Sequence, residues 1–294
     1  KHNFREVSRE KMRDAIKVVT KDNKIDTAQE WAATLIWDGK PRIERFYVDY
    51  LAAEETEYSR AVGTYTWTAM AGRLMSPGVK VDMVPILISE QGAAKSAVVR
   101  AMVPHPDFYG EIDLKLSDAD LGRRLQGKLI GEMAELAGKD KREIEALRAF
   151  ITRQEDEWKP LYQERTSKKP RRCVFIATTN NPMPLTDHEG NRRWLPIKVG
   201  MCNAQKIKDD CGQLWAEGIQ RYKERGVIFA EAERLAKELL EDHRDADGEE
   251  ELVVAWLNKH PLVEKGFFQE EDTSLPKNND RDFLTTKDIF DGVY

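Results

Sequence analysis

The sequence has few cysteines and no long hydrophobic run. Its 294 residues include only Cys173, Cys202 and Cys211, which are widely spaced and match no zinc-ligand pattern. We assign them no metal or redox role and expect a reducing compartment, such as the cytoplasm. Because no apolar segment approaches the length of a bilayer span, we also expect no membrane-spanning helix and no membrane partner.

An overall excess of basic charge is also missing. The chain has 47 lysines and arginines against 52 aspartates and glutamates, and its net charge is -5. Such a chain does not bind duplex DNA over its whole surface, so any nucleic-acid contact is expected to be local. The sequence begins without a methionine, a basic leader or a hydrophobic segment, from which we expect a fragment of a longer, non-secreted polypeptide. With 40% hydrophobic residues, it can fill one large α/β core or two modest domains.

Apolar periodicity divides the chain into three regions. Residues 1–80 and 203–294 show apolar residues at helical spacing. Residues 81–202 instead contain short apolar runs at positions 84–88, 128–131, 173–177 and 194–197. Since buried parallel strands are continuous apolar runs, we predict an α/β fold with a parallel sheet core between helical N-terminal and C-terminal regions.

The segment after the first apolar run, residues 89–96, resembles a degenerate phosphate-binding loop. The pattern G-x-x-x-x-G-K-[ST] turns backbone N–H groups towards phosphates, and adds a lysine for the β/γ-phosphates and a hydroxyl for Mg²⁺. Lys95 and Ser96 supply the lysine and the hydroxyl. Ser89 and Ala94 stand where the pattern has glycine, so we expect a narrow or strained loop and weak nucleotide binding. An ordinary strand-turn-helix with a chance Lys-Ser pair is the alternative.

Acidic and amide side chains follow the second and third apolar runs. Glu132 and Glu135 are expected to face the loop from an adjacent strand, one near Mg²⁺ and one near the attacking water. Spaced three apart, they share a face if the chain turns helical after Gly131, although a solvated acidic helix has the same spacing. Asn180 is placed to hydrogen-bond a γ-phosphate or the attacking water, and a simple turn is the alternative for this Asn-Asn-Pro segment.

Two adjacent arginines, Arg192 and Arg193, lead from a polar segment into the fourth apolar run. Arginine stabilises the charge that develops on a transferring phosphoryl group, often from the neighbouring subunit of a ring. Either residue is a candidate for this role. Surface salt bridging is the alternative for both and the expectation for one of them.

A basic segment at residues 165–172 stands out in this acidic chain. Its cations suit backbone phosphates, and the nearby Trp158 and Tyr162 suit stacking on unpaired bases or packing in the core. A solvated loop is the alternative. The predicted DNA contacts are Lys168, Lys169, Arg171 and Arg172.

Together these segments resemble the virulence-associated E family of P-loop ATPases, which are encoded by phages and genomic islands and related to superfamily-three (AAA+ type) helicases. The resemblance covers almost the whole chain. It includes residues 37–43, 76–82, 91–96, 131–136, 149–153, 156, 170–172, 178–180 and 187–194.

The resemblance implies a P-loop NTPase fold and an ATPase or helicase of DNA replication, with ATP and Mg²⁺ as cofactors. Its expected partners are single-stranded DNA, a primase domain or protein, and copies of itself in a ring such as a hexamer, in the cytoplasm of a bacterial host cell. By motif position, Glu132 and Glu135 take the acidic roles, Asn180 the sensor role, and Arg192 or Arg193 the finger role. Ser96 and Glu132 are the implied metal ligands, and the basic segment takes the place of a DNA-contacting hairpin. The implied ATP-binding residues are Gln91, Gly92, Ala93, Ala94, Lys95 and Ser96.

Two classes of function remain open at this stage. One is an ATP-hydrolysing motor that acts on single-stranded DNA. The other is a degenerate, non-hydrolysing scaffold for DNA or replication proteins, which Ser89 and Ala94 favour. A small-molecule phosphotransferase is a distant third, because no acceptor pocket is recognisable.

Overall fold

The computed structural model describes residues 8–22, 26–113, 116, 118–134, 141–158, 166–181 and 193–239. Lys1–Glu233 belong to one compact unit, and the second unit, Arg234–Tyr294, is described only over residues 234–239. The domain boundaries expected at residues 80 and 202 therefore both fall inside the first unit. Most of the predicted C-terminal helical region lies outside the described residues.

Helices precede the sheet in the chain. They are α1 (Arg9–Asp22), α2 (Thr27–Ala33), α3 (Phe46–Leu51) and α4 (Glu57–Met75). Helix α2 begins where the Asp26 carboxylate accepts a hydrogen bond from the Gln29 N–H, and α4 begins at a reciprocal capping box between Thr56 and Ser59. Helix α4 ends before Pro77, which cannot continue a helix.

A five-stranded parallel sheet forms the core. Its strands are β1 (Val84–Ile88), β2 (Tyr109–Glu111), β3 (Ile130–Ala134), β6 (Val174–Thr179) and β7 (Trp194–Lys198), in the order β2-β3-β6-β1-β7. All four neighbouring pairs are parallel. Every residue of β1 and β6 is buried, as expected for central strands that helices cover on both faces.

The remaining helices are α5 (Lys95–Ala101), α6 (Asp118–Arg124), α7 (Lys141–Ile151) and α8 (Ala204–Arg225). Helix α8 packs against α4 and α5. Gly218 permits this close contact, since a Cβ atom there would lie 2.9 Å from the Trp67 carbonyl oxygen. Trp67 also meets Trp215 edge to face, with ring centroids 6.0 Å apart. The carboxylate of Glu217, fully buried on α8, accepts hydrogen bonds from the N–H groups of Arg42 and Ile43, which ties the segment before α3 to this packing.

A separate antiparallel pair joins β4 (Glu155–Trp158) to β5 (Ser167–Pro170), and α6 packs against β4. The basic segment therefore includes strand β5 and is not entirely the solvated loop that was the alternative prediction. Its first cation, Arg165, lies outside the described residues, as does Tyr162. Trp158 is 8% exposed, so of the two expected roles it takes the packing one.

The structure confirms the predicted α/β fold, a parallel sheet flanked by helices. Two details of the prediction are wrong. The chain does not turn helical after Gly131 but continues as strand to Ala134, which places Glu132 inside β3. Strand β3 is also not adjacent to β1, because β6 lies between them. Among the described residues, no helix is both long enough and apolar enough to cross a bilayer.

Candidate functional site

The segment between β1 and α5 makes a tight turn at the carboxyl end of the sheet. Two of its residues have left-handed backbone conformations, Gly92 with φ 93° and Ala94 with φ 62°. Glycine adopts this region freely, whereas an L-residue with a Cβ atom pays about 1 kcal/mol or more. Ala94 therefore strains the turn at one of the two positions where the phosphate-loop pattern has glycine.

Neighbouring strands hold this turn at both ends. The Ser89 N–H donates to the Thr179 carbonyl oxygen at 3.4 Å, which links the turn to the end of β6. The Cys202 N–H donates to the Ala93 carbonyl oxygen at 3.3 Å, which links it to the segment after β7. The turn is thus fixed to the strands on both sides of β1.

Lys95, the first residue of α5, folds back over the turn. Its Nζ donates to the Ser89 carbonyl oxygen and Oγ at 2.9 and 2.8 Å, to the Glu90 carbonyl oxygen at 3.0 Å, and to Asn180 Oδ1 at 2.8 Å. All four acceptors are uncharged. Burial lowers the pKa of this ammonium group from its ordinary value. The positive charge is held in place but not neutralised, which favours an incoming anion.

The next residue, Ser96, contacts the predicted acidic residue. Ser96 Oγ donates to Glu132 Oε1 at 2.6 Å, and Thr178 Oγ1 donates to the same oxygen at 2.9 Å. The Tyr109 hydroxyl donates to the other oxygen, Oε2. Glu132 is 1% exposed, so this carboxylate lies buried among three hydroxyl donors.

A divalent cation fits this donor set. No cluster of three or more His, Cys, Asp or Glu side chains suited to a metal occurs within the described ranges. Mg²⁺ does not require one, because it is usually bound by one or two carboxylates together with substrate phosphates and water. The buried Glu132 carboxylate beside the Ser96 hydroxyl matches that requirement.

The structure thus brings together four predicted site residues in two contacts, Lys95 with Asn180 and Ser96 with Glu132. Glu135 and Arg192 lie outside the described residues. The other predicted ATP-binding residues, Gln91, Gly92, Ala93 and Ala94, form the turn itself.

Arg193 is far from this group in the same chain. In the parallel register, Val84 pairs with Trp194 and Ile88 with Lys198. Arg193 therefore precedes the amino end of β7, whereas the turn follows the carboxyl end of β1, about 16 Å away at strand spacing. An arginine side chain does not span this distance, so Arg193 does not reach Lys95 of its own chain.

Arg171 has to be removed from the predicted DNA-binding residues. It is 1% exposed, its Nε and Nη2 donate to Asp156 Oδ1 at 2.8 and 2.6 Å, and its guanidinium lies 4.5 Å from the Phe150 ring centroid. A cation that is buried and paired in this way is not available to a phosphate. Cys173, two residues later, is also buried, and burial raises the pKa of its thiol to about 12.

The other three basic residues remain at or near the surface. Arg172 is partly buried and pairs with Asp26, whose pKa this contact lowers. Lys168 is exposed and lies 3.3 Å from Glu157, and Lys169 is exposed with its Nζ 5.6 Å from the Trp158 ring centroid. Lys168 and Lys169 are thus the most accessible members of the predicted patch.

The sequence did not predict the roles of three polar residues in the site. Ser89 accepts a hydrogen bond from Lys95, and Thr178 and Tyr109 donate to Glu132. A hydroxyl at the end of an otherwise apolar run was a usable signal for Thr178. Tyr109 offered no comparable signal, because its strand has only three residues.

Comparisons with known proteins agree with the family suggested by the motifs. The family model described as Virulence-associated protein E-like domain matches residues 32–246. Similar solved structures are the apo C-terminal region of NrS-1, with 16% identity and a TM-score of 0.49, and its A form, with 16% identity and a TM-score of 0.47. The alignments cover 81% of this chain but 62% of each of those chains. The search of curated proteins gave no significant match.

Proposed function

The chain belongs to the virulence-associated protein E-like domain family, and from this premise we propose that it is the ATP-binding motor domain of a phage or genomic-island DNA-replication protein. It hydrolyses ATP with Mg²⁺ in a P-loop site and acts on single-stranded DNA. The observation that carries this proposal is the pair of contacts that joins Lys95 to Asn180 and Ser96 to Glu132.

In this proposal, Lys95 binds the phosphates of ATP. Its present partners are uncharged oxygens, so phosphate oxygens can replace them with a gain in electrostatic attraction. The backbone of residues 91–94 would surround the β-phosphate. Asn180, already hydrogen-bonded to Lys95, would contact the γ-phosphate or the attacking water.

Ser96 and Glu132 are the residues that would hold Mg²⁺. The ion supplies positive charge that offsets the charge developing on the phosphates. The Glu132 carboxylate keeps the Ser96 hydroxyl in place, and its own orientation is fixed by the other hydroxyl donors. Glu135, three positions after Glu132 in the sequence, is proposed to order the attacking water.

The arginine finger is proposed to act between subunits. Since Arg193 does not reach Lys95 of its own chain, it would serve the site of a neighbouring copy in a ring such as a hexamer. Arg192 is proposed as the other candidate for this role. Lys168 and Lys169 are proposed to contact the DNA backbone. A primase domain or protein is the proposed replication partner, and the cytoplasm of a bacterial host is the proposed location.

A non-hydrolysing scaffold is the second candidate. The φ of 62° at Ala94 and the contact between Ser89 Oγ and Lys95 Nζ favour it, because both arise at positions where the pattern has glycine. Each makes the turn less ready for a phosphate. The scaffold would bind DNA or replication proteins through the same fold without turnover.

ATP hydrolysis, measured with and without single-stranded DNA, tests the motor proposal. We expect hydrolysis that DNA stimulates and that Lys95→Ala reduces by about 100-fold or more, since a positioned cation is removed from the phosphates. Lys128→Ala is the matched control, because Lys128 also donates to a backbone carbonyl oxygen, that of Asp107, away from this site. Equal rates in Lys95→Ala and the parent would refute the proposal.

Calorimetric titration with ATP and Mg²⁺ separates the two candidates. A motor shows heat of binding in the parent and in Lys128→Ala but not in Lys95→Ala. A scaffold shows little or no heat in any of the three proteins and still binds DNA or a replication protein.

A further inference from the structure

Tyr109 contacts the predicted acidic residue from the edge of the sheet. It lies in β2, which pairs in parallel with β3, and its hydroxyl donates to Glu132 Oε2. Ser96 and Thr178 donate to the other carboxylate oxygen, Oε1. Among the described residues, Tyr109 is the donor to Oε2. It therefore fixes the carboxylate oxygen that Ser96 and Thr178 do not contact.

The Tyr109 ring is itself held in place by α5. The Arg100 guanidinium lies 5.1 Å from the ring centroid, and Arg100 also pairs with Glu111 on β2. Because Arg100 belongs to the helix that begins at Lys95 and Ser96, the tyrosine is anchored to the same helix that carries two predicted site residues. Helix α5 therefore contributes twice to the position of Glu132. Ser96 contacts the carboxylate directly, and Arg100 packs against the tyrosine that donates to it.

The two oxygens of the Glu132 carboxylate have different donors. Tyr109 donates to Oε2, and Ser96 and Thr178 donate to Oε1. Since the terminal torsion of a glutamate is broad, a donor at each oxygen is what restricts rotation of this carboxylate.

We propose that Tyr109 is a positioning residue for Glu132, which keeps Oε1 of the carboxylate directed at the Ser96 hydroxyl, so that these two residues would be ready to hold the Mg²⁺ of MgATP. This inference rests on the proposed function. Without the Tyr109 hydroxyl, Glu132 remains buried but can rotate, and the cation loses a preoriented ligand. Partners of this kind typically change metal affinity by about 10- to 100-fold when removed.

Tyr109→Phe tests the inference, because it deletes the hydroxyl and keeps the ring. The measurement is ATP binding by calorimetry over a series of Mg²⁺ concentrations, which requires no turnover. We expect the Mg²⁺ concentration for half-maximal enhancement of ATP binding to rise about tenfold. ATP binding without Mg²⁺, which depends on Lys95, should stay at the parent value.

Tyr50→Phe is the matched control. Tyr50 also donates its hydroxyl to a carboxylate, Asp210 Oδ2 at 2.8 Å, and Asp210 is not among the predicted site residues. This variant should leave the Mg²⁺ dependence unchanged. The same Mg²⁺ dependence in Tyr109→Phe and the parent, or the same shift in Tyr109→Phe and Tyr50→Phe, would overturn the positioning role while leaving the proposed function intact. A parent whose ATP binding does not respond to Mg²⁺ would overturn both.

Arg100→Met supplies a second variant in case Tyr109→Phe does not fold. The Arg100 side chain is 58% exposed, and its removal leaves all three hydroxyl donors to Glu132 in place. Loss of the stacked guanidinium loosens the ring, so we expect a smaller rise in the Mg²⁺ requirement, about threefold. An unchanged Mg²⁺ requirement in a folded Arg100→Met protein would contradict the anchoring of Tyr109 by α5.

Discussion

Two basic side chains that the sequence presents as phosphate ligands, Lys95 and Arg171, have opposite surroundings. Lys95 is held by two carbonyl oxygens, a hydroxyl and an amide oxygen. Arg171 is held by the Asp156 carboxylate and packs against the rings of Phe150 and Phe175, with guanidinium-to-centroid distances of 4.5 Å and 5.2 Å. Both side chains are well ordered by their contacts, but only Arg171 has an opposite charge as its partner.

The difference distinguishes Lys95, a cation that can bind an anionic ligand, from Arg171, a cation that stabilises the fold. An anion that approaches Lys95 finds an uncompensated positive charge, and water or phosphate can satisfy the oxygens that Lys95 leaves. An anion that approaches Arg171 would have to displace a buried carboxylate, which would then remain unpaired in the interior. The type of partner, rather than the degree of burial, distinguishes the two sites.

The largest expected effect is on stability, from Arg171→Met. This change leaves Asp156 buried without its cation, which typically costs about 3 to 5 kcal/mol. The free energy of unfolding, from denaturant titration, measures it. The double variant Arg171→Met with Asp156→Leu should recover much of the loss, since no charge then remains buried. A single variant as stable as the parent would contradict the structural role of Arg171.

A smaller effect is expected from Ala94→Gly, which tests whether the turn around Lys95 is strained. Glycine removes the cost of the left-handed conformation, so the free energy of unfolding should rise by about 1 kcal/mol. Ala52→Gly is the matched control, because Ala52 also has a positive φ, of 50°, at the end of α3. Both variants should gain stability, but only Ala94→Gly should bind ATP more tightly. Equal ATP affinity in the two variants would show that the backbone strain at Ala94 does not affect ATP binding.

Lys168→Ala tests whether an exposed cation of the basic segment contacts DNA, a role that the buried Arg171 cannot have. If Lys168 contacts a phosphate of single-stranded DNA, its loss should reduce the slope of log K against log salt concentration by about 0.7. Binding measured at a series of salt concentrations gives this slope. Lys208→Ala, an exposed change on α8, is the control and should leave it unaltered. An unchanged slope for Lys168→Ala would remove this residue from the DNA interface.

The smallest effect is expected on the stability of Lys95→Ala, in contrast to the large effect that the proposed function predicts for this variant in ATP hydrolysis. Water can reach the oxygens of Ser89, Glu90 and Asn180, so the free energy of unfolding should change by less than about 1 kcal/mol. The denaturant titration used for Arg171→Met measures this directly. A loss as large as that of Arg171→Met would erase the distinction between the two cations.

Much of the sheet was predictable because its strands are apolar. The runs that became β1, β6 and β7 are continuous and hydrophobic, as strands covered on both faces must be. Strands β4 and β5 were not predicted from apolar runs, because Glu-Asp-Glu-Trp and Ser-Lys-Lys-Pro consist mostly of charged and polar residues. Glu132 was placed after its strand, since a charged residue inside a buried strand interrupts the apolar pattern.

The candidate site was predictable where a motif fixed the spacing. Lys95 and Ser96 came from one short pattern, and Asn180 and Glu132 came from polar residues that follow apolar runs. The burial of Arg171 was not predictable, because its partner Asp156 is fifteen residues away and nothing in the basic segment distinguishes one cation from the next. The contact between Tyr109 and Glu132 depends on the pairing of two strands, which sequence patterns do not specify.

The fully buried strands β1 and β6 have a consequence for how this protein can change over generations. Their packing secures the architecture, while the residues that would handle phosphate project beyond their ends. Under the proposed function, a substitution in the turn would therefore alter phosphate binding or turnover while the packing of β1 and β6 stays intact.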